Sequence, residues 1–442
     1  MQFVRTVPLL SAAFAMCCLC AAPAQGASQN ASLDAREKML VRHIDSGEQA
    51  SLALLEQIVN TNSGTMNFAG VRAVGDMLRP RFEALGFEVN WVDGAPFGRA
   101  GHLVATRAGR GPHVLLIGHI DTVFEPDHPL QKWQRVDADT VRGPGIADMK
   151  GGIIVGLAAL DALREAKLLD RLQITVVLHG DEEDSGRPID LARRDLIAAA
   201  KAADIAIGLE NGDNDPTTAV TARRSSTGWL VKVKARSAHS SQIFAESVGA
   251  GAAYELGRIL NGFYRDVRGA EFVTFNPGLI ASSTQVEFKP EPLGATLAGK
   301  NNIIAPEAIA SGDLRTLTVR ELEETRAKMR KVVENGNLPH TTAEISFTDS
   351  YPPMAPTEGN RRLLSMYDAV SRDLGFGAVT EVNPRNAGAA DISFAADHVE
   401  MAIDGLGLLG GGSHTPEEFA DLRTFKIQTQ RLAVLLYRLG KK

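Results

Sequence analysis

The segment 174–186, ITVVLHGDEEDSG, sets four consecutive acids, Asp181, Glu182, Glu183 and Asp184, at the end of an apolar, β-branched run. Adjacent carboxylates repel, and one drawn towards the interior takes up a proton unless positive charge compensates it. Other ligand-type residues follow similar runs. His119 and Asp121 come after VLLIG, Glu210 after DIAIGL, and His414 beyond MAIDGLGLLGGGS. Asp148 lies in the Gly-rich segment RGPGIADMKGG, ahead of a helix-like stretch. Imidazole and carboxylate together are a donor set for divalent cations. Singly, each group has a plainer reading: a hydrogen-bonded histidine, a solvated acidic turn, a helix-entry acid. The Gly-rich segment is no dinucleotide fingerprint, because Asp148 stands where the third glycine should, and it is no P-loop.

The elements that must position these groups are legible. Helical periodicity runs over 33–60 and 68–86, with strands at 87–92, 102–108 and 113–119, the last two separated by the turn GRGP. A helix at 151–166, a strand at 172–180, a helix at 193–203 and a strand at 204–210 follow. Strands alternating with helices, several of them apolar on both faces, predict an α/β fold with a mixed open sheet covered on both sides. Ligands of such sheets bind outside the carboxyl ends of the strands. His119, the acids at 181–184, Glu210 and His414 all fall at that edge, where a cation among them would make the acids tolerable.

After Pro216 the texture changes. The stretch 219–237 alternates apolar and polar residues, as a half-exposed antiparallel strand does. A helix at 246–267, strands at 271–283 and 301–316, a helix at 319–335 and a strand at 342–349 complete a β-α-β-β-α-β order. That order predicts a ferredoxin-like insert over 219–350. The α/β pattern resumes with a helix from Arg361, a strand at 399–407 and a helix at 422–439. The expected organisation is a leader at 1–26, a catalytic domain in two parts (27–218 and 351–442), and the insert between them.

Among the 442 residues, acids outnumber bases 53 to 47 and no long basic run appears, which argues against nucleic acid as a partner. The first residues combine Arg5, an apolar run over 7–22, and small residues around Ala24 and Gly26. This is the layout of a secretory signal peptide, and the run falls short of the roughly 20 apolar residues of a membrane span. The expectation is export, to the periplasm or beyond, with no membrane attachment after cleavage. Cys17, Cys18 and Cys20 all lie in the leader, so the mature chain would have no disulfide and no thiolate ligand.

GHIDTVF, GPGIADMKGG, DEEDSG, GLENG and GGSH, in this order and with an insert between the last two, resemble the motifs of a dizinc metallopeptidase family. That family includes glutamate carboxypeptidase of the carboxypeptidase G type, aminoacylase, acetylornithine deacetylase and succinyl-diaminopimelate desuccinylase. The resemblance runs from about residue 45 to the end. It implies two Zn2+ per subunit, with Co2+ or Mn2+ as substitutes. His119 and Glu210 would bind one ion, Glu183 and His414 the other, and Asp148 would bridge them. Asp121 would fix the His119 ring, and Glu182 would be the general base. Such a pair of ions, about 3.5–4 Å apart, holds a water as hydroxide near neutral pH. His239 in the insert would reach the partner subunit's site in a homodimer and stabilise the oxyanion. Arg315 and Asn302 would hold the α-carboxylate of a small-molecule substrate. The family's Gly-Gly-Thr/Ser-Asp is here Gly388-Ala389-Ala390-Asp391, without the hydroxyl. Arg223 and Arg224 face either an acidic substrate group or solvent.

The function expected is hydrolysis of the amide bond to a C-terminal amino acid, with glutamate the first candidate. A deacylase acting on N-acyl amino acids would use the same groups. A catalytically silent binding module is the reading from another class, opposed by the presence of all five ligand-type residues and Glu182.

Overall fold

The computed structural model describes residues 33–290 and 293–441; the leader expected at 1–26 lies outside the described residues. Among the described residues no helix is long and apolar enough to cross a membrane.

The strands that position the site are, in chain order, β1 (Glu88–Asp93), β2 (Gly101–Arg107), β3 (His113–His119), β4 (Gln173–His179) and β5 (Ile205–Gly208). Then come β6 (Ser226–Ala235), β7 (Thr274–Ser283), β8 (Gln285–Lys289), β9 (Gly294–Ala298), β10 (Glu307–Arg315), β11 (Thr341–Tyr351) and β12 (Met401–Ile403). The helices are α1 (Ala35–Val59), α2 (Phe68–Ala84), α3 (Gly151–Glu165), α4 (Arg194–Ala202), α5 (Gly251–Gly262), α6 (Val319–Glu334), α7 (Glu358–Asp373) and α8 (Arg423–Leu439).

The larger sheet has the order β1-β2-β4-β3-β5-β12. Its β4, β3, β5 and β12 run parallel, while β1 and β2 are antiparallel additions at one edge. The strands flanking the GRGP turn are therefore not a hairpin: β4 lies between β2 and β3. Every residue of β3 is buried. Its alternate side chains serve two cores, as the period of two requires. Val114 and Leu116 pack with Ile58, Ile153, Leu160 and Leu436 of α1, α3 and α8. Leu115 and Ile117 pack with Leu196 and Ala200 of α4. Helices thus cover both faces, as an apolar parallel strand demands.

The second sheet has the order β7-β10-β6-β11, antiparallel throughout. With α5 and α6 it is the ferredoxin-like arrangement. Trp229, Val231 and Val233 of β6 bury one face against Leu256, Ile259, Met329 and Val333, while Lys232 and Lys234 point to solvent. The hairpin β8–β9 between β7 and β10 was not apparent in the sequence. The strand expected over 399–407 is confined to β12, and the helix expected over 246–267 begins at Gly251. Capping boxes start α1 (Asp34 with Glu37) and α6 (Thr318 with Glu321); each is worth about 1 kcal/mol.

Candidate metal centre

The parallel strands end in one row. His119 is the last residue of β3, Asp181–Asp184 follow β4 after Gly180, and Glu210 lies two residues past β5. Asp148 sits in the tight turn Ile146–Lys150 that leads into α3. A Cβ at Gly152 would stand 1.9 Å from the Leu209 carbonyl oxygen, so glycine lets this turn abut the strand end that carries Glu210. His414 follows the short strand Gly410–Gly411 at φ +65°, an uncommon conformation for a residue with a Cβ.

Asp148 is the centre of the cluster. His119 Nε2 lies 3.2 Å from its Oδ1 and 3.4 Å from Glu210 Oε1. On the other side His414 Nε2 lies 3.2 Å from Asp148 Oδ2 and 3.1 Å from Glu183 Oε2. Two groups of ligand atoms result, His119–Asp148–Glu210 and Asp148–Glu183–His414, each within 4.8 Å and each suited to a metal ion. They share only Asp148, one oxygen towards each.

Asp121 braces this arrangement from behind. Its backbone carbonyl lies 3.1 Å from His119 Nδ1. A carbonyl only accepts, so Nδ1 carries a proton and Nε2 is the ring nitrogen that faces the cluster, where it would offer its lone pair to a bound cation. The Asp121 carboxylate accepts the backbone N–H groups of Glu182 and Glu183, both at 3.1 Å, and the Thr65 hydroxyl at 2.7 Å. The buried Glu418 accepts the N–H groups of Ala147 and Asp148 at 3.1 and 3.3 Å and so holds the Asp148 turn.

The electrostatics call for positive charge. Burial, with the Glu210 and Glu183 charges, drives Glu182 well above the usual carboxylate range. Burial also raises Glu183 and pushes Glu210 up to about 7. Burial opposes ionisation of Asp148 too, yet His119 and His414 hold it below its ordinary value. Hydrogen bonds to Asp148 and Glu183 draw His414 up to about 11. Glu183 Oε1 is buried without a partner. Imidazole and carboxylate donors, an excess of acid and an orphaned carboxylate oxygen fit a pair of divalent cations.

The four consecutive acids turn out to have three fates. Glu182 and Glu183 face the cluster, and Asp184 pairs with Arg99 at 2.8 Å near the surface. Asp181 points inward, where the fully buried Arg193 donates to its Oδ1 at 2.7 Å and its carbonyl at 3.1 Å. Arg193 also donates to Asp391 Oδ1 at 2.7 Å, Ser185 Oγ at 2.9 Å and Tyr351 Oη at 3.0 Å. Asp391 in turn pairs with His179, and the Tyr351 hydroxyl donates to the Glu182 carbonyl at 2.8 Å. A protein cation, not a metal, neutralises Asp181. Sequence reasoning missed Arg193, His179 and Tyr351; the only trace was a polar His179 ending an apolar run.

The remaining expected residues lie elsewhere. His239 and Asn302 are exposed neighbours: Ser240 N–H donates to the Asn302 carbonyl at 2.8 Å, and His239 bridges Ile303. Both sit at the end of the insert sheet where β6 finishes and β10 begins. Arg315 is at the opposite end of β10, paired with Asp313 at 3.0 Å. Neither Arg223 nor Arg224 is a solvated strand residue. Arg223 is buried, with Nη2 at 2.9 Å from Asp404 Oδ2 and a hydrogen bond of 2.6 Å to the Gly388 carbonyl. It is committed to the protein and not free for substrate. Arg224 is half-buried and donates to Thr274 Oγ1 at 2.9 Å. In the loop before Asp391, Ala390 is buried, so a hydroxyl there would need a partner.

The model of peptidase family M20/M25/M40 matches residues 115–438. Carboxypeptidase G2 of Pseudomonas sp. (strain RS-16) is 28% identical over 409 residues, spanning 92% of this chain and 93% of that protein. Succinyl-diaminopimelate desuccinylase of Nitrosospira multiformis is 24% identical over 389 residues, spanning 84% and 93%. Aminopeptidase PepT from Bacillus cereus shares the fold, with a TM-score of 0.69 at 16% identity over 89% of this chain and 99% of that one. The chain belongs to peptidase family M20/M25/M40 and is a hydrolase of the metallopeptidase class.

Proposed function

We propose that the protein is an exported, homodimeric carboxypeptidase that hydrolyses the amide bond to a C-terminal amino acid, glutamate foremost, with two zinc ions per subunit. The observation that carries this reading is the sharing of Asp148 between two ligand groups, with Glu182 next in the chain to the ligand-type Glu183 and its backbone N–H held by Asp121. When bound in such paired sites, divalent ions supply charge stabilisation and acidify a water. His119 and Glu210 would hold one ion, Glu183 and His414 the other, with Asp148 between. Glu182, half-buried and prone to take a proton, accepts one from the attacking water and delivers it to the leaving nitrogen. Asp121 keeps the His119 ring and the Glu182 backbone in place. Arg315 takes the α-carboxylate as a fork. Asn302 and His239 act from the partner subunit, His239 on the oxyanion; their separation from Arg315 along β10 supports supply in trans. The insert at 219–350 then serves as dimerisation and lid domain.

The full-length similarity to Carboxypeptidase G2 favours the carboxypeptidase reading. The similarity to a desuccinylase over most of the chain keeps a deacylase of N-acyl amino acids as the second. The test is Glu182→Gln: zinc content unchanged, turnover of a benzoyl-type amide of glutamate lowered by about 10²–10⁴-fold. Full turnover in that variant refutes the assignment of the base. Faster cleavage of N-succinyl or N-acetyl amino acids than of any peptide or aryl amide would select the second reading.

A further inference from the structure

A cleft opens where α1, α2 and α3 converge, and none of its lining residues belongs to the metal centre. It encloses about 370 Å³, near the lower end of the roughly 300–1,000 Å³ of small-molecule sites. Its floor is apolar: Ile44 and Leu54 of α1, Ile154 and Leu157 of α3 and Phe425 of α8 are all buried there. Its walls are short, with Gly47 and Ala50 of α1 and Ala158 of α3 where larger side chains would close the gap. A Cβ added at Gly47 would meet nothing within 4 Å. Glycine in the middle of a 25-residue helix costs stability that alanine would restore. Neither a turn nor a close approach asks for it here; what it preserves is the open space.

The mouth of the cleft decides the charge of what it takes. Asp161 accepts from His43 Nε2 at 2.8 Å and from Arg164 Nη2 at 3.0 Å, one bond to each oxygen, so its charge is already met. Arg164 is paired further with Glu165 at 2.8 Å. Arg81, near the end of α2, also lines the cleft; it is exposed and pairs with no acid among the described residues. One uncommitted guanidinium thus stands over an apolar floor. A guanidinium suits a carboxylate, and the floor suits a body without polar groups. Length narrows the choice. Gly47 to Leu54 covers about 10 Å of helix at 1.5 Å per residue. An extended chain of about eight carbons spans about 8 Å at ~1.2 Å per bond.

We propose that this cleft binds a medium-chain monocarboxylate, its chain on the apolar floor beside Gly47 and its carboxylate at Arg81. The inference does not depend on the reaction assigned to the metal centre. The test is calorimetric titration of the metal-loaded protein with octanoate, hexanoate and 1-octanol. Octanoate is expected to bind saturably with a Kd below about 1 mM. Hexanoate, with two methylenes fewer to bury, should bind about tenfold more weakly. Gly47→Leu should fill the cleft and weaken octanoate by about tenfold or more, with Tm unchanged or raised and amide hydrolysis at the unaltered rate. Ala50→Leu, at an exposed position of the same wall, should also weaken octanoate and supplies the measurement even where Gly47→Leu does not fold. Arg81→Ala should weaken octanoate by about two- to fivefold, the reach of an exposed ion pair, and leave 1-octanol unchanged. No saturable binding of octanoate overturns the proposal. So does binding that the two leucine variants leave unchanged, since it would place the carboxylate at the metal centre instead. An equal response of octanoate and 1-octanol to Arg81→Ala overturns the role of the guanidinium.

Discussion

Asn302 and Arg315 cannot hold one substrate carboxylate within a single subunit. Asn302 stands just before β10 begins at Glu307, and Arg315 is the last residue of that strand. Eight strand steps of about 3.3 Å separate the strand's ends by roughly 26 Å. If both hold the same carboxylate, one of them comes from a second copy, and His239, which neighbours Asn302, comes with it. The expected outcome is complementation. Mixed dimers of His239→Ala with Glu182→Gln should recover about a quarter of unaltered activity after random exchange, since half the dimers then hold one complete site. Each homodimer alone should fall by about 10²-fold or more. No recovery, with exchange verified by mass, would place His239 outside the partner's site.

Arg193 joins Asp181 to Asp391 in a fully buried array. Replacing it with Met leaves two carboxylates buried without their cation, a loss of about 3–5 kcal/mol. A large fall in Tm is expected. Tyr351→Phe is a gentler probe, because it removes only a hydroxyl, which donates to the Glu182 carbonyl and accepts from Arg193. Its stability should change by about 1 kcal/mol, while kcat falls more than KM rises, because the backbone of the base is less firmly held. An unchanged kcat would show that this bond does not position Glu182.

Metal stoichiometry separates the ligand groups. Chelation should abolish turnover, and zinc or cobalt should restore it. Bound metal should fall from about two ions per chain to about one in Glu210→Ala, and below one in Asp148→Ala, because only Asp148 belongs to both groups. Equal losses in the two variants would mean that Asp148 is not shared. Turnover surviving verified removal of the metal would refute the mechanism.

The sheet could be read because its strands are extreme in composition. HVLLIGH is buried at every position, and such a run admits few other readings. The rim could be read because each ligand-type residue follows such a run or the glycines of a sharp turn. The direction of each acid in 181–184 could not. Successive residues diverge, and what decides among them is Arg193, twelve positions on, together with Asp391 and Tyr351 much further along the chain. No local pattern records a partner at that distance. Arg223 and Arg224 make the same point. As adjacent arginines they look equivalent, yet one is spent on Asp404 and the other faces Thr274. The hairpin β8–β9 went unread because its mixed residues lie outside the insert's core, where no burial pattern disciplines them.

Arg315 offers the last test, and it concerns the free carboxylate of the substrate. The side chain is about a third exposed and leans on Asp313, so it is anchored at one nitrogen while its outer pair remains available. A charge-assisted fork to a carboxylate contributes about 1.5–3 kcal/mol. Arg315→Ala should therefore raise KM for a substrate with a free α-carboxylate by about 10–100-fold, with a smaller effect on kcat. The partner experiment leaves the protein unaltered and amidates the substrate: the same rise should appear, and the two losses together should scarcely exceed either alone. Additive losses would mean that Arg315 and the carboxylate never meet, and equal cleavage of free and amidated substrates by the unaltered protein would exclude a carboxypeptidase.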